Sequence, residues 1–259
     1  MRNAAHLLIA SILLAGCSKQ PPAAPPSVKP AASRDDALMQ AVFNKDIVEH
    51  EGQFYKMSHL ADMDLPDGRT VLIVNGSPVT EKGEDDAYNA TPGMLSAYLL
   101  QRTNDGWKVR QRRLNLDQIG SNGQAGAVKW ITLGPGKPGF MVSAFYRGQG
   151  LSTSSAAIYD VSGEIRSLGG FSTSSDNGDA CLPETAQCWA IESSIHVDAE
   201  PQASGYNDML ADFTDKRYTV EEGKNELQVK SHVKQRARYH FDGTKYVLIS
   251  GENPINSVN

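Results

Sequence analysis

Apolar residues along this chain follow two rhythms. Between residues 34 and 49, Leu38, Met39, Val42, Phe43 and Ile47 recur at helical spacing, and Ser33 with Asp36 has the spacing of a capping box. One helix over about 34–49 is therefore predicted, with one apolar face against the rest of the fold. After it the pattern changes. The runs "TVLIVN" (70–75), "MLSAYLLQ" (94–101), "AVKWITL" (127–133), "GFMVSAFY" (139–146), "AAIYDV" (156–161) and "YVLI" (246–249) are short and rich in β-branched and aromatic residues. Turn residues bound each run, so all six read as strands. Glycines cluster between such runs, in "SNGQAG", "GPGKPG" and "YRGQG", where loops are expected.

A weak internal repeat adds topology. "YLLQRTNDGWKV", "AAIYDVSGEIRSL" and "ARYHFDGTKYVLI" each place an X-Gly pair between two strands: Asp105-Gly106, Ser162-Gly163 and Asp242-Gly243. Such pairs supply the positive φ of tight hairpins. The predicted class is all-β, built of antiparallel hairpin modules. Its architecture is propeller-like, with a β-sandwich or open barrel as the alternative. The modules resemble the irregular blades of bacterial envelope proteins with FG-GAP-like repeats, although the Asp-rich calcium loop of that family is missing.

The amino terminus gives an address. Arg2 precedes an apolar run from Ala4 to Ala15, broken by His6 and Ser11. The run is too short to span a bilayer, which takes about 20 residues, and has the length of a signal-peptide core. Leu14-Ala15-Gly16-Cys17 resembles the lipobox of bacterial lipoproteins. The resemblance implies cleavage after residue 16 and acylation of Cys17, hence attachment to a membrane through lipid. Ser18 stands where aspartate would favour inner-membrane retention, so the expected location is the outer membrane, facing the periplasm. Residues 17–33 form a Pro/Ala-rich tether, with Pro21, Pro22, Pro25, Pro26 and Pro30 favouring polyproline II. At about 3.1 Å per residue it reaches roughly 50 Å. The organisation expected is signal peptide 1–16, lipidated tether 17–33 and a β-rich domain 34–259.

A net charge of −5 argues against a nucleic-acid partner. The two remaining cysteines, Cys181 and Cys188, are expected to form a structural disulfide in an oxidising compartment.

Catalytic patterns fail on spacing. Neither Gly-x-Ser-x-Gly nor His-Glu-x-x-His occurs, and "GPGKPG" lacks the Gly-Lys-Ser/Thr ending of a phosphate loop. Ser231-x-x-Lys234 and Ser175-Asp176-Asn177 match two elements of penicillin-recognising enzymes. They stand in the wrong order, though, and "LQVKSHVKQR" alternates like a strand, which puts residues three apart on opposite faces. No catalytic residue and no cofactor is expected. Asp62, Asp64 and Asp67 in "DMDLPDG" are weak calcium candidates, off the EF-type register.

The remaining candidates are surface features. Lys108, Arg110 and Arg112 are expected on one face of a strand, with Arg113 beside them. Glu84, Asp85 and Asp86 form an acidic spot in a long loop, Trp189 adjoins the disulfide loop, and "YRGQGLSTSS" (146–155) is a further recognition stretch. The expectation is a lipid-anchored periplasmic binding protein rather than an enzyme, inhibiting or neutralising a cell-wall-targeting enzyme by occlusion. This resembles bacterial immunity proteins and lysozyme inhibitors in architecture and address. The alternatives are an envelope hydrolase using acids such as Asp160, Glu164, Asp208 and Asp212, and an assembly scaffold.

Overall fold

The computed structural model describes residues 33–258 apart from 186, 201 and 222–226. The signal peptide, Cys17 and nearly all of the tether lie outside the described residues.

The helix α1 spans Arg34–Val42. Its first turn is closed reciprocally: the Asp36 N–H donates to Ser33 Oγ at 3.1 Å, and the Ser33 N–H to Asp36 Oδ2 at 3.2 Å. It is shorter than the apolar spacing predicts. Phe43 is already extended at φ −123° and ψ 131°. Ile47 belongs to a strand, paired with Lys56.

Five strands follow as an uninterrupted antiparallel meander: β1 Ile47–His50, β2 Gln53–Asp64, β3 Arg69–Val79, β4 Gly93–Thr103 and β5 Gly106–Ile119. A second meander holds β6 Ala127–Gly134, β7 Lys137–Gly148, β8 Leu151–Asp160, β9 Arg166–Asp176, β10 Cys188–Val197, β11 Met209–Val220, β12 Leu227–Phe241 and β13 Tyr246–Gly251. All six runs read as strands fall in this set, with Val161 one residue past β8, and all three X-Gly stretches are hairpins. Gly106 and Gly243 take the expected positive φ (115° and 104°), whereas Gly163 does not.

The hairpins do not form separate blades. They merge into two continuous sheets, so the open, stacked alternative replaces the propeller. The eight-stranded sheet curls into a half-barrel. Its corner is the β9–β10 junction, where only Ala190↔Asp176 and Ile191↔Ser175 pair. Beyond it β10–β13 face β6–β9 across a core of Ile158, Leu168, Ile191, Met209, Phe213 and Tyr239.

The opposite face of β6–β8 packs on the five-stranded sheet, with Phe140, Val142 and Tyr159 against Val71, Ile73, Leu95 and Leu99. Leu38 and Val42 of α1 cover the remaining face of that sheet, over Leu72, Val74, Met94, Tyr98 and Leu100. Strands β3 and β4 are thus buried on both sides. Their unbroken apolar sequence, in place of alternation, follows from that. All three clusters lie within Ser33–Asn259, a unit that carries its own core.

Candidate functional site

Strand direction separates the domain into two ends. At one end Arg34, the second described residue, meets the β2–β3 turn. Its guanidinium is bidentate on Asp64 (3.1 and 2.6 Å) and its Nε donates to Asp62 at 3.0 Å. From there β3 runs its 11 residues to the other end, roughly 35 Å away at 3.3 Å per residue.

That far end is built of loops that the chain separates widely. The acidic loop 80–92 follows β3. It is held by Thr80 N–H to Glu84 O (2.8 Å) and Asp86 N–H to Pro78 O (3.2 Å), which leaves Glu84, Asp85 and Asp86 exposed. The β5–β6 connection, 120–126, supports it: Gly123 N–H donates to Thr91 O at 2.8 Å and Asn122 N–H to Asn89 O at 3.3 Å. Beneath that connection sits Asn75, 1% exposed. Its Nδ2 donates to Gly123 O (3.0 Å) and its Oδ1 accepts from the Ala125 N–H (2.8 Å).

The β7–β8 hairpin tip joins the same surface. Asn89 Nδ2 donates to Arg147 O at 2.6 Å, and Arg147 reaches Asp179 at 2.8 and 2.5 Å. Gly150 lies so close to the 3-10 turn Gly178–Ala180 that a Cβ there would meet Ala180 Cβ at 2.4 Å. The Cys181–Cys188 disulfide, with Cα atoms 5.7 Å apart, closes the last loop. Three large apolar side chains stand out from this end: Tyr88 (74% exposed), Phe145 (51%) and Leu182 (53%). Beside them a groove of about 210 Å³ is lined by Gly120, Phe145, Tyr146, Ser154 and Ser172 among others.

The other candidates are placed elsewhere. Trp189 packs against the half-barrel core, and its indole Nε1–H donates to Ser175 Oγ at 2.9 Å. The basic stripe does not form one face. Leu99 pairs with Gln111 and Leu100 with Val109, so Arg110 is the extra residue of a bulge. Such an insertion flips the alternation. Arg110 donates to Gln101, while Arg112 donates to Val42 O at 3.0 Å and lies over the Tyr98 ring. Arg112 thereby clasps the C-terminus of α1. Lys108 lies opposite Gln101.

Asp62, Asp64 and Asp67 are paired with arginines. Hydrogen bonds from Arg34 hold Asp64 below the usual carboxylate range, and those from Arg69 do the same for Asp67. Asp35, His59 and Asp62 do bring one ligand atom each within 4.8 Å, with His59 Nε2 3.0 Å from Asp62. The Arg34 guanidinium, on Asp62 at 2.9 Å, puts a positive charge against that group.

Of the four acids considered for hydrolysis, Asp160 and Asp208 are covered, at 3% and 2% exposure. Asp160 accepts from the Ser162 N–H (2.8 Å), Ser162 Oγ (2.6 Å) and Tyr206 Oη (2.6 Å), and Tyr206 in turn accepts from Arg166. Burial works against its charge, but these hydrogen bonds and Arg166 outweigh it and hold the carboxyl below the usual range. Asp208 faces His240 Nδ1 at 2.7 Å and Arg238 at 3.5 Å. Asp212 is bidentate with Arg236, and Glu164 meets Arg113 at the surface. All four are engaged in ion pairs that tie loops and strands together. Ser231 and Lys234 lie on β12, pairing with Arg217 and Thr214.

Asn75, Asn89, Arg147 and Asp179 organise the loop end, yet no local motif marks them. Their partners lie between 32 and 58 residues away. Compared with known protein families, curated proteins and solved structures, the chain matches none.

Proposed function

We propose that this is a lipid-anchored periplasmic binding module whose loop end docks on, and occludes, an envelope enzyme. Support comes above all from one juxtaposition. Three stretches that are dispersed in sequence share one surface, braced by Asn89–Arg147–Asp179 and the disulfide, with apolar Tyr88, Phe145 and Leu182 beside an acidic loop. Exposed aromatics within a charged rim are a common makeup for a protein contact. The chain enters the domain at the other end, beside Asp62 and Asp64. The acid excess favours a cationic partner, such as a muramidase-like hydrolase, and would speed encounter.

The test is titration of the Ser33–Asn259 unit against cationic muramidases and amidases acting on peptidoglycan. Stoichiometric loss of lytic activity is expected, relieved by E84K/D85K/D86K and by Y88A. Undiminished lysis together with no complex on size exclusion would refute the reading.

A further inference from the structure

The second exposed feature is on β12, and it stands apart from the loop-end reading. β12 pairs with β11 from Leu227 to Tyr239 but with β13 only from Ala237 to Phe241. The cause is local. At Gly251 (φ +73°) a Cβ would meet Arg236 O at 1.8 Å, so the chain turns out of the sheet there. The tail is then tied to β9, with Asn253 Nδ2 donating to Ser172 O and to Tyr239 Oη, both at 2.9 Å. Residues 227–236 of β12 are left with no strand on that side among the described residues, a free edge about 30 Å long at 3.3 Å per residue.

This edge has two chemically different faces. Val233 (47% exposed) and Gln235 look into a groove of about 550 Å³ where apolar Leu248 (40% exposed) and Pro254 stand beside polar Asp215, Glu252 and Asn253. On the opposite face His232 and Lys234 alternate in register, and Lys216 of β11 lies directly across from His232. Among the described residues, none of these three basic side chains has an ion-pair or hydrogen-bond partner. Further along the same row the bases are neutralised: Arg236 by Asp212, Arg238 by Asp198 and His240 by Asp208. Along this row of β12, the bases without a partner, His232 and Lys234, thus lie on the stretch whose outer backbone edge is also unpaired.

We propose that this edge takes up an extended acidic segment of a partner protein by strand addition. The added strand supplies the missing ladder to β12. It turns small apolar side chains towards the Val233–Leu248–Pro254 groove and carboxylates towards Lys216, His232 and Lys234. A second copy of this chain is a poor occupant, because antiparallel pairing of two β12 edges sets cation against cation.

The test uses the Ser33–Asn259 unit and a fluorescein-labelled peptide of alternating glutamate and valine, read by fluorescence anisotropy. Saturable binding is expected, at least tenfold weaker for the lysine–valine analogue and for H232E/K234E protein of unchanged Tm. N-methylation of alternate peptide amides abolishes it, and E84K/D85K/D86K leaves it intact. Amide exchange over 228–236 slows when the peptide binds. The proposal is overturned by any of four results. These are no binding, equal binding of the N-methylated peptide, dimerisation through β12, or phosphatidylglycerol vesicles binding where the peptide does not.

Discussion

Replacing Asn75 by alanine probes how the two sheets are joined. Asn75 sits on β3 but serves the 120–126 connection: it donates to Gly123 O and Ser77 Oγ and accepts from the Ala125 N–H. Space around it is tight, since a Cβ on Gly93 would lie 2.5 Å from Asn75 Oδ1 and 2.4 Å from the Ala125 nitrogen. Water therefore has little room to replace the lost amide. A neutral hydrogen bond contributes about 1 kcal/mol net, and a buried group left without a partner costs about 1–3 kcal/mol. Losing the bonds to Gly123 O and Ala125 N–H should cost N75A about 3 kcal/mol in all. For a unit of this size that corresponds to a Tm lower by roughly 6–12 °C. N75D keeps the acceptor for Ala125 but turns a carboxylate oxygen on Gly123 O, so it should be no better. Urea unfolding with amide exchange at Ala125 gives the measurement. Exchange at Ala125 and Gly123 should accelerate more than exchange in β4. A loss below 0.5 kcal/mol, or an Ala125 amide as protected as before, would refute the reasoning.

Breaking the disulfide with C181S/C188S should cost about 2.5 kcal/mol from closure entropy of the short loop, visible by calorimetry with and without reductant. Asp160 has a folded pKa below its unfolded one. Its contribution is therefore complete above about pH 4 and is lost as the pH falls through the folded value. D160N should lower stability at pH 7 by about 2 kcal/mol and flatten the acid limb below about pH 4. An unchanged acid limb would count against this assignment. Burial pushes the Tyr98 hydroxyl up to about 12 against the pull of Arg112 and nearby Ser96, and among the described residues no partner is within hydrogen-bonding geometry of that hydroxyl. Y98F should leave stability unchanged or raise it by about 1 kcal/mol, and should remove a late-ionising phenol from the ultraviolet titration.

The strands were readable in the sequence because apolar runs bounded by glycine survive any arrangement of sheets. The stacking was not. Leu72 and Val74 face α1 while Val71 and Ile73 face Phe140 and Val142, so the alternation that assigns faces is absent where both faces are buried. The helix was overextended for a related reason: Ile47 keeps helical spacing, but its backbone pairs with Lys56. The run 70–75 stops at Asn75, yet β3 continues to Val79. At the loop end the acids of 84–86 were visible, whereas the contact of Asn89 with Arg147, 58 residues on, had no local signature. The bulge at Arg110 likewise left no mark in "KVRQRR", and it undid the inference that Lys108 and Arg112 share a face.

In both meanders every strand lies beside its neighbour in the chain. A polypeptide delivered amino-end first, from a ribosome or through a translocation pore, can therefore add each strand to an existing template as it emerges. No strand has to wait for a distant strand to pair with. Closures between chain neighbours, in place of pairings between distant strands, favour rapid assembly for an all-β chain. The last of these additions, the 254–257 turn, places Ile255 in the half-barrel core.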